Sequence, residues 1–131
     1  MTETQYKVEG LNELSKQVNA FVTEIGFDNA DVPLRIALIH SEISEAFEAF
    51  RKDRFAKPDV FLEDVVLDKS EERFKYAFEK SMKDSFEDEI ADSIIRLLDL
   101  CGKMNIDIEN HIREKMAYNA TRGHRYGGKK F

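Results

Sequence analysis

Apolar residues recur at steps of three and four from Leu11 to Ile25, where Leu11, Leu14, Val18, Phe21 and Ile25 form one stripe. That period is the mark of an amphipathic helix, and Gly26 suits its stop. A second helix is expected to open at Asp31, whose carboxylate can cap free amides, with Pro33 tolerated in the first turn. It should run to about Lys52, with Leu34, Leu38, Ser41, Glu45 and Phe50 in sequence and Ile36, Ile39, Ile43, Ala46 and Phe47 as a second apolar flank. Because it is apolar over most of its circumference as far as His40, several partners should cover it.

Residues 53–69 break the periodicity. Pro58 disfavours helix in the residues just before it, and Asp59, Glu63, Asp64 and Asp68 are interspersed with Phe61, Leu62, Val65, Val66 and Leu67. This stretch reads as a loop holding at most a short extended or helical piece, long for a compact helical domain. Helical character resumes near Ser70, with Phe74, Ala77, Phe78 and Met82 close to one stripe. Ser85 followed by Asp88 resembles a capping box with Asp in place of Glu. The segment is therefore one kinked helix or two helices broken near Asp84–Ser85. Phe86, Ile90, Ile94, Leu97 and Leu98 make a strong stripe, which Gly102 loosens. Asn105 or Asp107 can cap a last helix from Ile108 to about Thr121, ended by Gly123. The expected fold is all-α: a four-helix-type bundle forming one domain over 1–122, with an elongated insert at 54–84 and a basic, glycine-containing tail at 123–131.

Length and charge narrow the function. A chain of 131 residues is one domain by the usual prior. A net charge of -6 offers no long-range attraction for nucleic acid or anionic membrane, so stable nucleic-acid binding is not expected. The acids lie mostly between Glu42 and Asp99, whereas the tail carries His124, Arg125, Lys129 and Lys130 without an acid. Cys101 alone can form neither an intrachain disulfide nor a thiolate metal site, and it reads as a small buried hydrophobe in a reducing compartment. Met1–Gln5 has no leader-like pattern and no run approaches the roughly 18 apolar residues of a membrane span. A cytoplasmic location is the resulting expectation.

The chemistry lies in two short pairs, Glu42-x-x-Glu45 on the second helix and Glu89-x-x-Asp92 on the later one. A spacing of three sets both carboxylates on one helical face. Two such faces meeting would offer four carboxylates to a divalent ion. Magnesium prefers oxygen ligands and keeps open positions for water or phosphate. Glu42, Glu45 and Asp92 are also flanked by apolar neighbours, where an unpaired acid is costly. Acids three apart are equally at home on solvated faces, and with 26 of them in the chain some pairs arise by chance. His40, His111 and His124 are scattered and make no zinc pattern. On the last helix Lys115, Asn119 and Arg122 share a face and could bind phosphate oxygens, or simply favour a helix C-terminus. No GxxxxGK[ST] pattern is present.

Taken in order, Glu42-x-x-Glu45, Glu89-x-x-Asp92 and Lys115-x-x-x-Asn119-x-x-Arg122 resemble the MazG-like all-alpha nucleotide pyrophosphohydrolases. The resemblance covers most of the chain. It implies that the four acids bind Mg2+ (with Mn2+ as a possible substitute). Glu45 is the preferred candidate for orienting or deprotonating the attacking water. Lys115, Asn119 and Arg122 would contact the nucleotide. The implied reaction cleaves a (deoxy)nucleoside triphosphate between the alpha and beta phosphorus, releasing monophosphate and pyrophosphate, in nucleotide-pool cleansing by a homodimer or homotetramer. The 44-position separation of Glu45 and Glu89 departs from compact members of that family. Without tryptophan, base stacking would need a residue such as Phe21, Phe27, Phe47 or Tyr118. A non-catalytic helical interaction protein, and hydrolysis of another phosphoribosyl nucleotide, are the alternatives.

Overall fold

A computed structural model describes residues 6–26 and 31–122. The described residues form six helices and no strand: α1 (Leu11–Glu24), α2 (Val32–Arg51), α3 (Pro58–Leu67), α4 (Glu71–Ser81), α5 (Phe86–Lys103) and α6 (Ile108–Thr121). Among them no helix is long and apolar enough to cross a membrane. The basic tail and Phe27 lie outside the described residues.

Four helix starts are set by short polar side chains. Asp31 accepts a hydrogen bond from the Leu34 amide at 2.9 Å, Ser70 from Arg73 at 3.1 Å, Ser85 from Asp88 at 3.1 Å and Asp107 from Asn110 at 3.2 Å. Each satisfies an amide that the first helical turn leaves free. At the α4–α5 break the box closes one residue early, because Asp88 reaches back to the Asp84 amide at 2.9 Å. Asp84 adopts a left-handed φ of 62°, so the chain turns there and the stretch is two helices. The loop expected over 53–69 contains the ten-residue helix α3. Pro58 is its first residue, where a missing N–H costs nothing and the fixed φ suits a helix.

The contacts divide the chain into two compact units, Ala30–Leu97 and Met1–Asn29 with Leu98–Phe131. In the first, α3 and α4 pack as a hairpin. The Phe61 ring meets Phe74 edge-on at 5.6 Å and Phe78 at 6.3 Å. Asp64 holds the hairpin through Arg73 at 2.8 Å and Lys80 at 3.4 Å. Phe50, Phe55 and Phe86 form a second aromatic trio with centroids 5.7–6.0 Å apart. The connection after α2 is tied to the α4–α5 turn, since Lys57 N–H donates to the Ser81 carbonyl and Phe86 N–H to that of Arg54.

In the second unit the starts of α1 and α6 satisfy each other. The Asn12 amide donates to Glu109 at 2.8 Å and the Glu109 amide to the Asn12 side chain at 3.2 Å. Gly102 of α5 lies so close to α1 that a Cβ there would stand 2.4 Å from the Ser15 carbonyl oxygen. Asn19 donates to Asp99 at 3.0 Å one turn away. Cys101 is buried, and burial raises its thiol pKa, consistent with a core role.

Candidate metal centre

All four acids of the two pairs belong to the unit 30–97. Glu42 sits in the middle of α2, and Glu89 and Asp92 in the first two turns of α5. One ligand oxygen from each of Glu42, Glu89 and Asp92 lies within 4.8 Å of the others. A second group with the same property is Asp84, Asp88 and Glu89, so Glu89 is common to both. Glu45 is exposed and is not in either trio, but its carboxyl contacts that of Glu89.

Glu89 is the unusual member. It is 5% exposed, and its Oε2 is buried with no hydrogen-bond partner. An orphaned carboxylate oxygen in such a place is costly unless a proton or a cation joins it. Burial, then the Glu45 and Glu42 carboxyls, push the Glu89 pKa up to about 8. Burial also raises Asp92, helped by the charges of Asp88 and Glu42 and opposed by Arg96. Burial works to raise Glu42 too. The Arg96 hydrogen bond, with those to Glu89 and Glu45 and the guanidinium's charge, outweighs it and holds Glu42 below its ordinary value. Three carboxyls at this spacing cannot all stay ionised without positive charge among them. Here the Arg96 guanidinium supplies part of it, and the raised pKa of Glu89 favours its protonated form.

That donor set fits a hard divalent cation: oxygen ligands only, one of them orphaned and buried, with neither thiolate nor imidazole in either trio. Glu42, Glu89 and Asp92 would hold the ion, with Glu45 and Asp88 beside them.

Two openings flank the acids. One, of about 300 Å3, is lined by Glu45, Glu48, Arg54, Asp84 and Glu89 and is wholly polar in its side chains. The other, of about 570 Å3, lies along α4 and reaches Asp88 and Asp92.

Compared with protein-family models, with curated proteins and with solved structures, the chain matches none.

Lys115, Asn119 and Arg122 belong to the other unit, at the end of α6. Two of them meet at one ring, with Lys115 Nζ 5.2 Å and the Arg122 guanidinium 5.5 Å from the centre of Tyr118. Asn119 Oδ1 is buried without a hydrogen-bond partner. Of the aromatic residues suggested for base stacking, Phe21, Phe47 and Tyr118 are all more than half exposed. Sequence reasoning missed Arg96, whose Nε donates to Glu42 at 2.9 Å. Its signal was present: it stands one turn beyond Asp92, on the same helical face. Asp84 and Asp88 were noticed as turn and cap residues, not as possible ligands.

Proposed function

We propose that this protein hydrolyses a (deoxy)nucleoside triphosphate to monophosphate and pyrophosphate with the help of Mg2+. The observation that carries the reading is the meeting of Glu42, Glu89 and Asp92 around a buried carboxylate oxygen that has no partner. A bound magnesium would supply charge stabilisation at the phosphates and acidify a water. The chain's own residues would do the rest. Glu42, itself fixed by Arg96, would hold the ion together with Glu89 and Asp92. Glu45, exposed and beside Glu89, is the carboxylate able to accept a proton from an attacking water. Arg54, in the polar opening, offers a donor fork for phosphate oxygens. Lys115, Asn119 and Arg122 are the further phosphate or base contacts that the resemblance implies. Nucleotide-pool cleansing is the role that goes with this chemistry.

Assembly as a homodimer or homotetramer belongs to the same proposal. Leu34, Ile36, Ile43, Phe47 and Phe50 of α2 and Ile94, Ile95 and Leu97 of α5 are all exposed. So many large apolar groups on two helices is the surface of a chain that meets another. The same surface favours the second reading, a helical interaction protein without turnover.

A hydrolysis panel separates the two. Common and deoxy triphosphates, dUTP included, are incubated with and without Mg2+, and pyrophosphate is resolved from orthophosphate. Magnesium-dependent monophosphate and pyrophosphate, lost by at least about 100-fold in Glu42→Gln and Asp92→Asn, is the expected result. Orthophosphate with diphosphate would move the cut to the other bond. No turnover of any nucleotide would leave the interaction reading.

A further inference from the structure

The larger opening, along α4, shares Asp92 with the carboxylate trio, but its α4 side chains take no part in holding the ion or activating water. Its α4 wall carries two ridges at four-residue steps: Phe74 with Phe78, and Glu71, Lys75 and Glu79. Asp88 and Asp92 of α5 form the facing wall. We propose that this groove seats the base and sugar of a nucleotide whose phosphates lie at Glu42, Glu89 and Asp92, a proposal that rests on the nucleotide reading above.

The groove is continuous with the acids. Asp92 lines it and also belongs to the carboxylate trio, so a ligand held by its phosphates at the acids would have the groove beside it. The two openings also differ in kind. The polar one, with Arg54 and four acids, can take phosphates but offers a base no aromatic or apolar side chain. The groove offers both, in about 570 Å3, within the range of small-molecule sites.

The aromatic surface is built to stay open. Phe74 is 53% exposed, yet its ring is fixed edge-on by Phe61 and lies 6.2 Å from Phe78 at 22°. Arg73 and Lys80 pin the same helix to Asp64. A rigid, half-exposed ring is a stacking platform that a base covers with little ordering cost. Lys75, Glu71 and Glu79 stand beside it with the donors and acceptors that base edges and sugar hydroxyls require. The α3–α4 hairpin, inserted between the two acidic pairs, thereby supplies the wall that chooses the base.

The chain has no tryptophan, so Phe74→Trp introduces a single one, excited selectively at wavelengths that the four tyrosines do not absorb. This variant would be titrated with the four alpha,beta-imido deoxynucleoside triphosphates in Mg2+, and with inorganic tripolyphosphate as a base-free probe. Calorimetry on the native chain, Phe74→Ala and Lys75→Glu would give affinities, with circular dichroism checking the fold. Lys75→Glu leaves the aromatic cluster intact. Saturable quenching by at least one nucleotide and none by tripolyphosphate is expected. Phe74→Ala should weaken that nucleotide about tenfold without changing tripolyphosphate, and Lys75→Glu should reorder the preference among bases. Nucleotide binding with unchanged emission and unchanged affinities would overturn the groove while leaving the pyrophosphohydrolase reading intact. Quenching by nucleotides that the native chain does not hydrolyse would support the groove and remove the hydrolysis. No binding of any nucleotide would overturn both. A change in emission on concentrating the protein alone would assign the groove to a second copy and overturn the proposal.

Discussion

A carboxyl that keeps its proton near neutrality changes how stability follows pH. The Glu89 pKa rises from the ordinary 4.5 of the unfolded chain to about 8 in the fold. Folding therefore takes up a proton between those values, and stability without metal should fall as pH rises through that window and level off above it. Asp92 acts in the same direction, while Glu42, held low by Arg96, contributes above its own range and loses that contribution in acid. Thermal melts in chelator from pH 5 to 9 should show Tm dropping by roughly 5 °C or more, a slope that Glu89→Gln should reduce to the smaller share owed to Asp92. Added Mg2+ should raise Tm at pH 8.5 more than at pH 6, because the ion competes with the proton. A flat profile in the native chain would remove the burial argument for this residue. Much at this scale could be read from the sequence. A spacing of three on a helix already put Glu89 and Asp92 on one face. Which carboxyl ends up buried, and that Arg96 rather than another cation meets Glu42, depends on how α2 and α5 are rotated. A one-dimensional period does not specify that rotation.

Among the elements, the helices with clear punctuation were the legible ones. Asp31 and Asp107 cap where the sequence suggested, and α1 and α6 begin at the expected residues. The helix α3 was legible only as one option, a short extended or helical piece in a loop, because a proline can end one helix or begin another, and only its packing on α4 decides which. Gly102 was read as a loosening of the α5 end, but it sits inside α5 and permits close approach to α1. Its replacement by Ala should be harsher than glycine-to-alanine changes in helices usually are. Helix propensity would gain about 1 kcal/mol, but the new Cβ would meet backbone at 2.4 Å and the Asn19 Cβ at 2.7 Å. Overpacking of that kind costs about 1–3 kcal/mol. A net loss in urea denaturation is expected, and a gain would mean that α1 shifts freely.

For the molecule as a whole, the sequence showed that α2 has apolar residues on several sides, and the structure leaves many of them exposed, Phe47 at 63%. Periodicity states that a face must be covered without saying by which chain. If copies of this protein cover it, light scattering should give a dimer or tetramer, and Ile43→Glu with Phe47→Glu should shift it toward monomer, since burying unpaired charge in an interface is costly. A native monomer at micromolar concentration would count against that assembly. The pairing of α1 with α6 has a further consequence, for the order of events during synthesis. Asn12 and Glu109 are 97 positions apart, whereas Ala30–Leu97 is one unbroken stretch. As the chain leaves the ribosome, α1 emerges first but finds its partner last, while the acid-bearing unit can already close behind it. For most of translation α1 would travel as an unpaired amphipathic helix, and Leu11, Val18 and the buried Ser15 face would be the segment most in need of a chaperone's cover.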